Sequence, residues 1–211
     1  MNKLFHLCLT ALGLLIGMSE PALAQVPNAA GEAGQGGDPQ AVYHGGLVTP
    51  PLPKPKFKLI DTSGASFDFA TGTDGYVTLL FFGYAHCTSV CPTQMALLAG
   101  AMRRLPRDVA ERFKVVFVST DPGHDNPRLL RAWLNHFDKS FIGLTGSEAQ
   151  VRAAQVAAKV PATAGNLAEH AAFVLAYTKD NLGHVIYPAG VTQADWLHDL
   201  PLLAKDGWPE R

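Results

Sequence analysis

Hydrophobic and polar positions follow two rhythms along this chain. Phe57, Leu59, Phe67 and Phe69 alternate with polar residues on either side of Asp61-Thr62-Ser63-Gly64, which has the chemistry of a hairpin turn. Val77 to Tyr84 reads VTLLFFGY, a short and almost wholly apolar run that suits a strand covered on both faces. Pro92 follows at the place where a helix would start, and Met95, Leu98, Ala99, Met102 and Leu105 recur behind it at helical spacing. The alternation then repeats. Val115 to Ser119 reads as a second buried strand, Pro127 to Phe137 as a helix, Phe141 to Leu144 as a short strand and Ser147 to Lys159 as a helix. Ala171 to Thr178 and His184 to Tyr187 flank Lys179-Asp180-Asn181-Leu182-Gly183 as an antiparallel hairpin, and a final helix fits Gln193 to Ala204.

A strand, helix, strand succession predicts parallel neighbours joined by a crossover. The order βαβ followed by ββα predicts an α/β fold, a thioredoxin-like mixed sheet flanked by helices, with an N-terminal β-hairpin. With 211 residues, 47% of them hydrophobic, the chain has apolar material for one full-sized core. The expected organisation is a signal peptide over residues 1–24, a flexible Gly/Pro-rich linker over 25–52 and one folded domain over 53–211. The first segment has a short basic start, an apolar run from Leu4 to Met18 and small residues at Pro21-Ala22-Leu23-Ala24, the pattern of a cleavable export signal. That run is shorter than the ~20 residues that span a bilayer comfortably, which favours cleavage over a permanent inner-membrane tether. The implied location is the periplasm.

Charge narrows the function by exclusion. The formal net charge is −1, without long runs of either sign, so nothing points to nucleic acid as a partner.

Of the three cysteines, Cys8 falls in the apolar signal segment, leaving Cys87 and Cys91 for an oxidising compartment. One pair four residues apart closes too small a loop to stabilise the fold much, so its purpose is read as chemical. In GYAHCTSVCPTQ the pair lies between a buried strand and a helix N-terminus, where unpaired N–H groups favour thiolate over thiol. Two thiolates are soft ligands suited to Cu(I), and an imidazole would admit Cu(II) as well. A third ligand is therefore expected among the seven histidines beyond the signal. His170 is selected by topology, because an antiparallel neighbour of the Val77 to Tyr84 strand would begin beside the cysteines. His86 and His124 remain alternatives. His44 is assigned to the linker, His136 and His198 to exposed helix faces and His184 to the hairpin. Asp121, in Ser119-Thr120-Asp121-Pro122, is expected beyond the strand C-termini, where ligands collect. Its functional reading is a carboxylate that supports the metal ligands or docks a partner, and its ordinary reading is a turn residue before proline. Glu169, beside His170, is a weaker candidate for the same work.

The segments FFGYAHCTSVCPT, VVFVSTDPGHDNP and EHAAFVLAYTKDNLGHV resemble the Sco/SenC family of thioredoxin-fold copper proteins over roughly residues 53–203. The resemblance implies delivery of copper to subunit II of cytochrome c oxidase, or reduction of that subunit's cysteines, with Cys87, Cys91 and His170 as ligands. It implies as partners subunit II or another exported copper acceptor, an upstream periplasmic copper donor and a thiol reductant. Many members carry proline after the first cysteine and an acidic residue in the loop, whereas Thr88-Ser89-Val90 intervenes here. The family histidine often lies between Asp and Ser or Thr; here it lies between Glu169 and Ala171. The same two cysteines also fit a thiol-disulfide reductase, in which His170 is a bystander. A peroxidase-like relative would use Cys87 as the attacking thiolate and Cys91 to resolve the sulfenic acid.

Overall fold

The computed structural model describes residues 42–161, 172–205 and 208. These hold eight strands, β1 (Gly46–Pro53), β2 (Lys58–Asp61), β3 (Ser66–Asp68), β4 (Val77–Gly83), β5 (Phe113–Ser119), β6 (Ile142–Thr145), β7 (Phe173–Tyr177) and β8 (Leu182–Pro188). They form one mixed sheet in the order β1-β8-β7-β4-β5-β6-β2-β3. The helices are α1 (Phe69–Gly72), α2 (Val90–Met102), α3 (Arg107–Ala110), α4 (Pro127–Leu134), α5 (Glu148–Ala157) and α6 (Gln193–Leu203).

The central strand β4 is buried at every position, as its unbroken apolar run requires. It pairs in parallel with β5 and antiparallel with β7. Its alternate residues serve two cores. Val77, Leu79 and Phe81 pack with residues of α2, α4 and α6, while Leu80 and Phe82 pack with Phe57, Leu59 and Phe69 and with Val151 and Ala154 of α5. The period of two in a strand is what lets one run of sequence supply both faces. Burying a side chain of this size contributes about 1.5–3 kcal/mol, so β4 is the anchor of the fold.

The helices begin where local chemistry satisfies their free amides. Asn126 caps α4 through Leu129 N–H, with Pro127 in the first turn. Ser147 with Gln150, and Thr192 with Asp195, form reciprocal capping boxes on α5 and α6, which fixes these starts within a residue of the predicted ones.

Two sequence expectations are corrected. The segment assigned to a linker over 25–52 is structured from residue 42, because β1 pairs antiparallel with β8. Its prolines argued against a strand, but β1 lies at the sheet edge, where a missing N–H can face away from the single partner. The folded region therefore starts before residue 53. The β2–β3 hairpin exists, but it lies at the opposite edge from β1 and is not the first element of the domain. Residues 1–24, assigned to a signal peptide, lie outside the described residues, and no described helix is long and apolar enough to cross a membrane.

Candidate metal and thiol site

Cys87 and Cys91 are both free thiols at the C-terminal end of β4. Pro92 does not start the helix; α2 begins at Val90, so Cys91 is its second residue. Cys87 lies in the preceding turn, where its N–H donates to Tyr84 O at 3.2 Å. Ser89 occupies the N-cap position and its side chain caps nothing. The sulfur of Cys87 takes over that work by accepting the N–H groups of Cys91 and Ser89. A thiolate is a better acceptor than a thiol, and it meets the positive end of the helix.

The two sulfurs are hydrogen-bonded to each other and differ sharply in their environments. Burial pushes the Cys87 thiol up, but the amides of Cys91 and Ser89, the Cys91 thiol and the Tyr84 side chain outweigh it, so its pKa falls below the ordinary value. Burial dominates at Cys91 and drives its pKa far upward; the Tyr84 amide offsets part of this, and the negative charge on Cys87 adds to it. The two thiols are thus shifted in opposite directions, Cys87 toward the thiolate and Cys91 toward the thiol. Cys91 is fully buried and Cys87 nearly so, at 0% and 7% exposure.

Gly83 makes that burial feasible. A Cβ there would lie 2.8 Å from Cys91 Sγ and 2.7 Å from Phe81 Cε1, closer than packed atoms sit, so the strand must present no side chain beneath the sulfur.

Asp125 ties the cysteine turn to the end of β5. It is 1% exposed, and one carboxylate oxygen accepts both Ala85 N–H at 2.8 Å and Ser119 Oγ–H at 2.7 Å. Sequence reading missed this residue. Its signal was slight, an aspartate two positions before Pro127 in VSTDPGHDNP, and only the parallel β4–β5 register brings Ala85 to it.

Asp121 holds neighbouring histidines rather than the cysteine turn itself. Its Oδ2 is 2.8 Å from His124 Nδ1 and 3.5 Å from His86 Nε2. Tyr84 packs on His86 with ring centroids 4.6 Å apart, and His86 meets His124 edge-on at 5.6 Å. The Asp121 hydrogen bond and charge raise the His124 pKa. Burial first, then the charge on Cys87 and a hydrogen bond to it, raise that of Tyr84. These four side chains form a polar rim beside the thiols. Among the described residues, no histidine or carboxylate completes a three-ligand group with both sulfurs, so neither His86 nor His124 fills the third position as placed here. His170 and Glu169 lie outside the described residues. The topology used to select His170 is present: β7 is the antiparallel neighbour of β4, with Val174 opposite Phe81.

The remaining histidines divide. His136 turns Nδ1 to Trp133 O at 3.1 Å on an exposed surface. His184 is buried, bonded to Asp180 and stacked on Trp208. His44 is not in a linker; it sits against α6, with its ring 4.0 Å from that of His198.

The SCO1/SenC family model matches residues 49–201 of the chain. A putative copper-binding protein of Stutzerimonas stutzeri is 31% identical over 107 residues, 51% of this chain and 52% of the relative. The chain thus spans about half the length of the curated relatives it matches. The solution structure of apo Sco1 from Thermus thermophilus is 30% identical, with a TM-score of 0.66 over 76% of this chain and 96% of that one. The copper-bound structure of Bradyrhizobium japonicum ScoI is 27% identical, with a TM-score of 0.61 over 70% of this chain and 97% of that one.

Proposed function

Since the chain belongs to the SCO1/SenC family, we propose that it is an exported metallochaperone that binds one copper ion through Cys87, Cys91 and His170 and passes it on by ligand exchange. The observation that carries this reading is the paired environment of the two thiols. The amides of Cys91 and Ser89 favour the thiolate form of one sulfur, and the other lies hydrogen-bonded against it, a soft donor pair for Cu(I). His170 supplies the borderline donor that would also admit Cu(II). It precedes Ala172, the first described residue before β7, by two positions, a chain length of at most ~7 Å, and β7 starts at the sheet end that carries the thiols. The copper-bound ScoI structure supports the choice of metal.

The acceptor in this reading is subunit II of cytochrome c oxidase, as the resemblance implies, or another exported copper protein. The ion would come from a periplasmic donor. Copper occupies Cys91 only after its proton leaves, so loading releases protons and weakens as the pH falls. An acceptor would approach along the Asp121–His124–His86 rim, where Asp121, which holds both histidines, would help dock it.

The unequal pair also favours a second reading, thiol-disulfide reduction. The Cys87 thiolate attacks a substrate disulfide, forming a mixed disulfide and releasing one substrate thiolate. Cys91 then gives up its proton and attacks Cys87 Sγ, releasing the second substrate thiol and leaving Cys87–Cys91 oxidised by two electrons. An external thiol reductant restores the pair. A titration of the reduced chain with Cu(I), in parallel with reduction of a disulfide peptide, separates the two. The metallochaperone requires stoichiometric copper lost in Cys87→Ser and Cys91→Ser and weakened in His170→Ala. Full peptide reduction by His170→Ala, with no copper bound by the parent chain, would leave the reductase alone.

A further inference from the structure

The segment at residues 42–45 is joined to α6 by one carboxylate. Asp199 is fully buried, and its oxygens accept His44 N–H at 3.0 and 3.1 Å, Gly45 N–H at 3.0 Å and Tyr187 O–H at 2.9 Å. Those donors already account for a buried aspartate, and the His198 ring adds a further bond to Oδ1 at 2.7 Å. The side chains of His44 and His198 are additional. Their rings stack at 4.0 Å and 8°, yet each side chain is nearly half exposed, at 45% and 44%. Each Nδ1 is tied to a carboxylate at 2.7 Å, His44 to Asp195 and His198 to Asp199. Asp195 is itself fixed by its capping box with Thr192.

One ligand atom from each of His44, His198 and Asp199 lies within 4.8 Å of the others. Two imidazoles that are held by carboxylates, open to solvent and beside a fixed oxygen are a starting arrangement for a metal; because the rings are stacked within 8°, one of them must tilt for both nitrogens to reach the same ion. The donors are nitrogen and oxygen with no sulfur, a set that takes Cu(II), Zn(II) or Ni(II) and discriminates against Cu(I). We propose that His44, His198 and Asp199, with Asp195 at the rim, form a second metal site for a borderline divalent cation, separate from the thiols.

The sheet register gives its place. Gly46 pairs with Ile186, Ile186 with Leu175 and Leu175 with Leu80, so His44 lies toward the same end of the sheet as the thiols. β1 is three strands from β4, roughly 14 Å across the sheet at the usual spacing. The molecule thus offers a soft site and a nitrogen-oxygen site along one rim. The inference does not depend on the thiols binding copper.

The test uses the full chain carrying Cys87→Ser, Cys91→Ser and His170→Ala, so that the first site is silent. Equilibrium dialysis against Cu(II) alone should retain one ion per chain. Adding His44→Gln or His198→Gln should weaken that binding at least ~10-fold, while the circular dichroism spectrum of the metal-free chain stays that of the parent because the backbone N–H groups of His44 and Gly45 still hold Asp199. Independently of any histidine variant, substoichiometric Cu(II) should broaden the backbone amide resonances of Gly45 and Asp199 before others. No retained ion, affinity within twofold in the His44→Gln/His198→Gln variant, or broadening confined to other histidines would overturn the site.

Discussion

Replacing Asp125 by alanine tests whether the cysteine turn is held from the end of β5. The substitution removes the acceptor of two buried donors, Ala85 N–H and Ser119 Oγ–H, at a site only 1% exposed. Leaving a buried donor without a partner costs about 1–3 kcal/mol, so the two together predict a loss of about 2–6 kcal/mol, reduced if water enters the gap. For a domain of this size each kcal/mol shifts the melting temperature by about 2–4 °C, which gives a fall of roughly 4–24 °C. Asp125→Asn keeps one acceptor oxygen and should fall about half as far. Thermal unfolding by circular dichroism measures the first part. Alkylation of the folded protein at a temperature well below either midpoint measures the second: Cys91, shielded in the parent chain, should react faster in Asp125→Ala. A melting temperature within 2 °C of the parent, or no change in Cys91 protection, would refute the anchor; the 2 °C limit is the shift expected of about 1 kcal/mol.

Other outcomes follow from the same geometry. Gly83→Ala should destabilise by about 1–3 kcal/mol through overpacking, because the new methyl would sit 2.8 Å from Cys91 Sγ and 2.7 Å from Phe81; a denaturant melt with an unchanged midpoint would contradict it. Iodoacetamide should label Cys87 first, with a rate midpoint below the ~8.5 of an unperturbed thiol, and Tyr84→Phe should move that midpoint upward by removing a partner of the sulfur. Equal labelling of both cysteines would contradict the unequal pair. Asp180 is held below the ordinary carboxylate value: burial raises it, but bonds from Thr178, His184 and the Leu182 amide outweigh that. A depressed folded value means the stabilisation is complete above the unfolded pKa, about 3.9, and is lost as the pH falls through the folded one. The stability gap between the parent and Asp180→Asn should therefore hold at about pH 6 and close toward pH 2; a gap that widened with acid would reverse the assignment.

The legible parts of this fold were those in which one local signal decided the outcome. The run VTLLFFG could only be a covered strand, and β4 runs from Val77 to Gly83. Ser147 and Thr192 mark helix starts through capping chemistry written within four residues. β1 was hidden because a proline-rich edge strand is stabilised by its partner β8 and by nothing in its own sequence. The position of the thiols at a strand end and helix mouth was readable. The unequal tuning of Cys87 and Cys91 was not, since it depends on which amides reach which sulfur and on burial in the core beneath Gly83. Asp125 and the His44–His198 stack were invisible for a similar reason, as each joins residues distant in sequence that only the tertiary fold brings together. Asp121 follows the end of β5, and its side-chain partners there, His86 and His124, were not readable from the sequence.

X-ray absorption on the chain loaded with one equivalent of Cu(I) tests the copper site most directly. A copper ion held by Cys87, Cys91 and His170 should show a first coordination sphere of two sulfurs and one imidazole nitrogen, with the nitrogen contribution lost in His170→Ala and the sulfur contribution halved in Cys87→Ser. A sphere without sulfur, or one unchanged by His170→Ala, would contradict that ligand set.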